Sequence, residues 1–537
     1  MRPSFLLPIL LLLAVGVHLR WRQPTEPYFS GDETRHVMTG VFVHDALRDG
    51  GVSSPRAYAE RYYAQYPCLG LLVWPPGFYA VEGVAMLAVG PSHETARNVL
   101  LLYLLVTTAY GFKLVHHTHG TTTAVIASLL LMASREVFIN TRGVMLEVPT
   151  LACLLGAMFH FEKYLGQQRR RDLLLFAFWT VAAGLHRYDA VFLAPLFLVG
   201  LGFARQLRLV FGRDVLAAVT GILAALAPVY WLAYKTVGQQ HALGATTGTN
   251  LTIVRHGWEQ ITYYPTGLIF QLGAVTAAFG VVGLLASFRR ESWAKSRPYW
   301  ALVVVVYGCF VLLAEQETRH TIYWLPAWCV FAAEAALIPL RRFGKRGLTA
   351  LAVVLVVGDA GCWTLRQPVP WVRGYADAAR FVLDRTDGPG IVLFDGHFDG
   401  TFIYEVRTQD AARRLWVARG DKLLYAVKSD PGAAYVEWAK DEAAIAKVLD
   451  DLGPNFIVVE EPPLKYTLPA QLQLRKVLRE YPDRFERVAV MPIDSHNIEW
   501  MEGSELWVYQ PKNRPAGPRK LNIPMLWGGR DISQDVK

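Results

Sequence analysis

The chain has 537 residues, of which 53% are hydrophobic and only 18% are charged, and its formal net charge is +9 at pH 7. It is too apolar and too long to be one ordinary soluble domain, which indicates a membrane protein. The positive charge does not indicate a nucleic-acid-binding protein, because the Lys and Arg residues are spread over several short connecting segments. The five cysteines lie mostly within or beside apolar stretches and resemble neither a disulfide framework nor a Cys-based metal motif.

The first apolar segment runs from Pro3 to Arg20 and has a basic start, as a secretory signal peptide does. No small-residue cleavage site follows it, and Arg20, Trp21 and Arg22 are typical of an anchor at the membrane surface. We therefore predict a membrane helix that the mature protein keeps. A polar loop, residues 20–68, comes after it.

The next apolar segment, residues 69–89, contains Pro75, Pro76 and Glu82. Because each of these residues leaves a polar group to satisfy inside hydrocarbon, we predict a re-entrant or interfacial helix rather than a membrane-spanning one. The loop 20–68 then lies outside the cytoplasm. A helix that spans the bilayer here would instead place this loop in the cytoplasm.

The first 368 residues are predicted to contain about eleven membrane helices. Beyond the two segments above, the apolar stretches are residues 97–115, 121–139, 148–165, 172–204 (two short passes), 214–234, 265–288, 299–314, 321–340 and 348–365. Basic residues gather in the connecting segments 167–171, 205–213, 289–297 and 341–346. The positive-inside rule places these connectors and the N-terminus in the cytoplasm, which predicts a multi-pass protein of the cell (inner) membrane.

The C-terminal part of the chain, residues 369–537, has a different composition. Its charge density is higher, and short apolar runs at 391–394 and 456–459 alternate with a helical pattern at 437–452. This alternation predicts an extracytoplasmic α/β domain. No Gly-rich phosphate loop opens any of its predicted helices, so a Rossmann nucleotide site has little support. The other predicted domain, residues 1–368, is transmembrane and includes the loop and the helix 69–89.

The sharpest motif is Ser30-Gly31-Asp32-Glu33-Thr34-Arg35, directly after the first membrane helix. Two adjacent carboxylates at a helix start have an ordinary structural explanation, because they interact favourably with the positive helix end and with free N–H groups. From residue chemistry alone, this structural role is the better explanation.

Other motifs follow in a particular order. They are Trp74-Pro75-Pro76-Gly77-Phe78-Tyr79, Met145-Leu146-Glu147-Val148-Pro149, and Glu317-Thr318-Arg319-His320 ahead of Pro326. Together with the Asp32-Glu33 pair, this series resembles glycosyltransferase family 39, which includes protein O-mannosyltransferases and the aminoarabinose transferase that modifies lipid A. The resemblance covers roughly residues 1–340.

The resemblance implies a membrane all-α bundle of the GT-C type and a polyprenyl-phosphate sugar donor. It also implies catalytic carboxylates in the first outer loop, which fall here on Asp32 and Glu33, and a substrate-orienting acid at Glu147. Some relatives carry charged residues just before the Pro of the re-entrant helix, where this chain has Val73 and Trp74. That departure puts a metal or donor-phosphate contact from this segment in doubt, so the predicted enzyme is metal-optional.

Four arginines are predicted on the same outer side as Asp32 and are candidates to grip a phosphate with paired hydrogen bonds: Arg142, Arg187, Arg255 and Arg319. Each also has a structural interpretation as an interfacial anchor. Trp74 and Tyr79 are candidates to stack on sugar or prenyl groups, although an interfacial aromatic belt explains most such residues. His186 and His320 are expected to be hydrogen-bonded residues at helix ends rather than ligands.

The predicted function is transfer of a sugar, with inversion, from a polyprenyl-phosphate donor to a lipid, glycan or protein acceptor outside the cytoplasm. One alternative is a transporter or flippase of lipids or polysaccharide, because charged residues in a bundle also mark substrate pathways. The charges here lie in outer loops, which disfavours it. Another alternative is an envelope assembly protein whose transferase site has decayed.

Overall fold

The computed structural model describes residues 3–20, 31–238, 257–313, 316–427, 435–463, 468–513, 519–523 and 532–536. The chain divides into two compact units by its internal contacts. The helical unit contains Met1–Arg22, Leu72–Phe78 and Arg97–Pro368, and the mixed unit contains Gln23–Leu71, Tyr79–Ala96 and Val369–Lys537.

The helices are given first, in chain order. They are α1 (Pro3–Arg20), α2 (Gly31–Arg48), α3 (Pro55–Gln65), α4 (Gly77–Val89), α5 (His93–His119), α6 (Thr121–Ala133), α7 (Arg135–Asn140), α8 (Glu147–Gln167), α9 (Arg170–His186), α10 (Leu193–Phe203), α11 (Arg213–Ala233), α12 (Trp258–Leu272), α13 (Ala274–Ala286), α14 (Arg290–Phe310), α15 (Leu325–Ala336), α16 (Ile338–Phe343), α17 (Arg346–Arg366), α18 (Tyr375–Asp384), α19 (Asp399–Gln409), α20 (Gly420–Leu423), α21 (Glu442–Leu452) and α22 (Pro469–Glu480).

Several helices are long and apolar enough to cross a membrane. In the part of the chain that the structure describes there are four of them, at His93–His119, Arg213–Thr236, Thr318–Phe343 and Arg346–Arg366, and shorter apolar helices lie at Phe5–Arg20, Gly77–Val89, Thr121–Ala133, Tyr188–Phe203 and Ala274–Ala286. This is roughly consistent with the prediction of about eleven membrane helices. The 13 residues of α4 span about 20 Å, which is less than the about 30 Å of a hydrocarbon core.

The strands all lie in the mixed unit. They are β1 (Trp371–Arg373), β2 (Gly390–Asp395), β3 (Leu415–Arg419), β4 (Tyr425–Val427), β5 (Tyr435–Glu437), β6 (Phe456–Glu461), β7 (Phe485–Pro492), β8 (Asp494–His496), β9 (Glu505–Pro511), β10 (Arg519–Ile523) and β11 (Ile532–Val536). The main sheet has the order β3-β2-β6-β9-β7. Strands β3, β2 and β6 are parallel to one another. Strand β9 pairs antiparallel with β6, and β7 pairs antiparallel with β9.

The predicted C-terminal α/β domain is confirmed by this sheet. Its central strands β2 and β6 are buried along their whole length, as parallel strands covered on both faces must be. Ile391 and Leu393 of β2 and Ile457 and Val459 of β6 lie in one hydrophobic core, together with Leu449 of α21.

The mixed unit also contains the loop between α1 and the next membrane helix. Its contacts group this loop with residues 369–537, and the predicted division of the chain into domains 1–368 and 369–537 stays a prediction. A buried ion pair explains the grouping: Asp45 of α2 accepts hydrogen bonds from Arg407 of α19, at 2.6 Å from Nη2 to Oδ1 and 2.9 Å from Nε to Oδ2. Close packing adds to it, because a side chain at Gly400 would overlap Thr34.

Candidate functional site

Glu147 is the centre of a charged cluster in the helical unit. It opens α8 and is only 1% exposed, and its Oε1 accepts a hydrogen bond of 2.5 Å from Nη1 of Arg187, just beyond the end of α9. The Nε of the same arginine donates to both carboxylate oxygens of Asp189, at 3.0 and 3.1 Å. The guanidinium of Arg187 is therefore held between two carboxylates.

Arg319 lies in the same cluster, in the 3₁₀ segment Thr318–Trp324. Its Nη1 is 3.9 Å from Oε1 of Glu147, and its Nε pairs with Glu317. The buried Glu136 of α7 accepts a hydrogen bond of 2.9 Å from the Thr318 hydroxyl, so it anchors the same segment. The structure therefore brings three of the predicted site residues together: Glu147, Arg187 and Arg319.

Arg142 lies in a different environment of the helical unit. It is 3% exposed, and its guanidinium donates to the backbone carbonyls of Phe138 and Val17. The guanidinium carbon also lies 3.2 Å from the centre of the Phe138 ring. These contacts give Arg142 a structural role, and phosphate binding by it stays a prediction.

The segment that carries Trp74 is held against the turn between α9 and α10. The Tyr188 hydroxyl donates to the Leu72 carbonyl at 3.1 Å, and a side chain at Gly77 would overlap the Leu185 backbone. Leu72 itself has φ of 62°, a left-handed conformation that costs free energy for a bulky residue. Trp74 is partly exposed, and its predicted stacking on a substrate stays a prediction.

The Asp32-Glu33 pair divides into two environments at the start of α2, in the mixed unit. The Asp32 side chain is 29% exposed and lies 3.6 Å from the Arg35 guanidinium. Glu33 is 1% exposed, and its Oε1 is 2.9 Å from Nε2 of His93. Of the two carboxylates, Asp32 is therefore the one that a soluble substrate group can reach.

Tyr79 of α4 packs directly on α2. It is 1% exposed, its hydroxyl is 2.8 Å from Nδ1 of His36, and the two rings are stacked. Its hydroxyl and one ring face are therefore engaged within the protein, and the predicted stacking of Tyr79 on a substrate stays a prediction. The contact fixes α4 against the helix that begins with Asp32.

A second charged cluster surrounds the start of α2. Arg419, at the end of β3, pairs with Asp399 at the start of α19 and with both oxygens of Asp421, at 2.7 and 2.8 Å. It also donates to the Pro67 carbonyl at 2.8 Å. Arg419 thus connects the C-terminal sheet to the loop that carries the predicted catalytic residues.

Two basic groups of this second cluster have altered pKa values. Burial lowers the pKa of Lys422, against the opposing effect of Asp421. Burial likewise lowers the pKa of His397, although Asp399 opposes the shift. Asp399 acts on Arg35 as well, so the charges of this cluster and of α2 form one connected electrostatic system.

Sequence reasoning missed Glu136, Asp399 and Arg419. Arg419 ends a parallel strand, and the carboxyl ends of such strands commonly face a ligand site, so correct prediction of β3 would have singled it out. His186 is a hydrogen-bonded helix-end residue, as expected, since its Nε2 is 2.7 Å from the Tyr103 hydroxyl. Arg255 lies outside the described residues.

Across the described ranges, no group of three or more His, Cys, Asp or Glu side chains is arranged to hold a metal ion. Asp32 lies beside a guanidinium and Glu33 beside a buried imidazole. The metal-optional character of the enzyme stays a prediction.

Comparison with known proteins identifies the architecture. Residues 74–232 match the protein family described as dolichyl-phosphate-mannose-protein mannosyltransferase. No curated protein sequence matches the chain significantly. The solved structure of ArnT from Cupriavidus metallidurans bound to undecaprenyl phosphate is 13% identical, with a TM-score of 0.62 over 95% of this chain and 98% of that one.

Two other solved structures are similar at lower scores. AglB, the oligosaccharyltransferase from Archaeoglobus fulgidus in complex with an inhibitory peptide and a dolichol-phosphate, is 12% identical with a TM-score of 0.52, over 85% of this chain and 69% of that one. The mycobacterial arabinofuranosyltransferase AftD is 15% identical with a TM-score of 0.50, over 82% of this chain and 35% of that one. The predicted GT-C membrane bundle with a C-terminal α/β domain is therefore confirmed, as is the resemblance to GT-C glycosyltransferases.

Proposed function

We propose that this protein transfers a sugar from a polyprenyl-phosphate donor to an acceptor on the outer side of the cell membrane. The fold of the chain supports this, because the similarity to ArnT extends over 95% of its length and that protein was solved with undecaprenyl phosphate. The observation that carries the proposal is the difference in exposure between two adjacent carboxylates. Glu33 is buried and pairs with His93, while Asp32 is partly exposed at the start of α2.

In the proposed reaction, the Asp32 carboxylate takes the proton of the acceptor hydroxyl. The acceptor oxygen then forms a bond to the anomeric carbon from the face opposite the phosphate, so the configuration inverts. The bond between that carbon and the phosphate oxygen breaks, and its electron pair leaves with the lipid phosphate. The developing charge of the phosphate calls for cationic hydrogen-bond donors, and the proposed candidates in the helical unit are Arg187 and Arg319.

The arrangement around Glu147 suits such a task. Two cations held next to one buried carboxylate keep a fixed geometry before the substrate arrives, which lowers the cost of reorganisation during the reaction. Because Arg187 and Arg319 each have a second acidic partner, neither depends on Glu147 alone. We also propose a location and a topology for the protein, since the basic connectors favour them. It lies in the cell (inner) membrane, with a cytoplasmic N-terminus and an extracytoplasmic C-terminal domain.

The test is an assay of the purified full-length chain in proteoliposomes with polyprenyl-phosphate sugars of several types and a membrane extract as acceptor source. We expect the glycosyl bond to be cleaved and labelled sugar to appear on an acceptor. Movement of the intact lipid-linked sugar across the bilayer, without cleavage, would identify a transporter instead. Mass spectrometry of envelope glycans with and without the gene then identifies the sugar and the acceptor.

A further inference from the structure

A pocket of about 370 Å³ lies in the mixed unit, at the end of α2 opposite to Asp32. It is lined by Arg48, Tyr58, Arg61, Tyr62, Gln65, Ala411, Ala412 and Arg413, and is called the basic pocket below. Its α3 residues have the spacing i, i+3, i+4, i+7, which puts them on one helix face. The other wall is the turn between α19 and β3.

The charges of the basic pocket do not cancel. Asp49 binds Arg413 through two hydrogen bonds, Nη1 to Oδ2 at 2.5 Å and Nη2 to Oδ1 at 2.9 Å, and it lies 3.4 Å from Arg48. Asp45, beneath the pocket, is paired with Arg407 and lies 3.8 Å from Arg413. Two carboxylates, Asp45 and Asp49, therefore face the four arginines at positions 48, 61, 407 and 413, which leaves an excess of positive charge.

Arg61 provides the remaining cation. It is exposed on α3, and its guanidinium carbon lies 5.5 Å from the centre of the Tyr58 ring. Within the ranges that the structure describes, no carboxylate lies within ion-pair distance of Arg61, whereas Arg56 on the same helix is paired with Glu60 at 2.8 Å. An arginine with its donors free at the mouth of a basic pocket is suited to an anionic group.

The walls of the basic pocket are rigid. The Tyr58 and Tyr62 hydroxyls donate to Asp49 at 2.9 Å and to Asp45 at 2.7 Å. Gln65 donates to the Arg413 carbonyl at 2.6 Å, and Arg413 has φ of 54°, a left-handed conformation that costs free energy in a non-glycine residue. The aromatic and backbone walls of the pocket are therefore fixed before a ligand arrives, which lowers the cost of binding.

We infer that the basic pocket binds a phosphate group, with Arg61 and Arg48 as the ligand-contacting residues and Arg413 as the residue that positions Arg48 through Asp49. The two uncompensated charges suit the negative charge of a phosphate, about two on a phosphomonoester and about one on the phosphodiester of a lipid headgroup. The phosphate can belong to a soluble or glycan-borne phosphomonoester or to a lipid headgroup, since both present negatively charged non-bridging oxygens. This inference does not depend on the proposed transferase activity.

Inorganic phosphate and phosphatidylglycerol distinguish these sources. We would titrate the full-length chain in phosphatidylcholine nanodiscs with inorganic phosphate by calorimetry, and measure phosphatidylglycerol binding by native mass spectrometry. The Arg61→Gln variant is expected to bind about tenfold more weakly, because one charge-assisted contact is lost. Arg56→Gln is the matched control, since Arg56 lies on α3 outside the pocket, and it should bind as the wild type does.

Binding of inorganic phosphate that Arg61→Gln weakens supports a soluble or glycan-borne ligand. Binding of phosphatidylglycerol alone, with the same sensitivity to Arg61→Gln, supports a lipid headgroup. Absence of binding by both probes would overturn the inference, and so would an equal loss in the Arg56→Gln control. Arg413 is not a suitable residue to replace, because its loss would leave Asp49 unpaired and disturb the fold.

Discussion

The Arg187 guanidinium is hydrogen-bonded to Glu147 at 2.5 Å and at the same time to Asp189. In the Glu147→Gln variant Arg187 keeps Asp189, and Arg319 keeps Glu317, so we expect the protein to fold. With the central negative charge lost, the two guanidinium groups separate, and we expect kcat/KM for the donor to fall about tenfold to hundredfold. Steady-state kinetics in proteoliposomes measure this, and an unchanged kcat/KM would contradict the assigned role.

Asp32 and Glu33 are expected to differ when each is replaced by its amide. Asp32→Asn removes the proposed base, so the transfer rate should fall by a factor of about 10² to 10⁴. Glu33→Gln keeps a side chain that can hydrogen-bond to His93, so it should retain a larger share of the activity. Equal rates for the wild type and the Asp32→Asn variant would refute the assignment of Asp32.

Arg419 connects the C-terminal sheet to the loop that carries the proposed catalytic residues, so its replacement should affect the reaction through that loop. In Arg419→Gln, Asp399 and Asp421 lose a cation and compete for Arg35, which should raise the pKa of Asp32 and move the acidic limb of the pH–rate profile to higher pH. Arg373→Gln is the control, because Arg373 pairs with Asp494 at an exposed position. A pH–rate profile in which the rate falls at every pH, with the acidic limb at an unchanged pH, would point to a purely structural role of Arg419.

The Asp45–Arg407 pair should be among the strongest single contributions to the stability of the mixed unit. Both side chains are at most 4% exposed, so Asp45→Asn leaves a buried guanidinium uncompensated, at a cost of about 3–5 kcal/mol in the free energy of unfolding. Asp451→Asn removes the partner of Lys447 at a highly exposed position and should change the free energy of unfolding far less, because solvent screens an exposed ion pair. Thermal unfolding of the two variants in the same detergent compares them.

Asp49 should make the stability of the mixed unit depend on pH. Hydrogen bonds from Arg413 lower its pKa from 3.8 to about 2. The stabilisation is therefore complete above about pH 4 and is lost as the pH falls toward 2. Asp49→Asn should lower the melting temperature at pH 7. The difference in melting temperature from the wild type should become smaller as the pH falls below 4. A difference from the wild type that is the same at pH 7 and pH 3 would contradict this assignment.

The sequence predicts the helices well, because apolar runs of membrane-spanning length are a strong local signal. It also predicts the sheet, since β2 and β6 are short, β-branched runs that are buried on both faces. The contacts between side chains that are distant in the sequence could not be predicted from it. Asp45 and Arg407 are 362 residues apart, and no local pattern connects them. The separate environments of Asp32 and Glu33 depend on His93 and Arg35, whose positions only the folded chain determines.

The packing of α2 against α19 sets an order of events during synthesis. Ribosomes make the chain from its N-terminus, so the loop with Asp32 and Asp45 emerges early. At that stage Arg407, the ion-pair partner of Asp45, has not yet been made. Arg407, Arg413 and Arg419 are made only after the last apolar helix, α17. A nascent chain with every hydrophobic helix inserted therefore still lacks the arginines that hold its acidic loop, and the packing of this loop awaits the final third of translation.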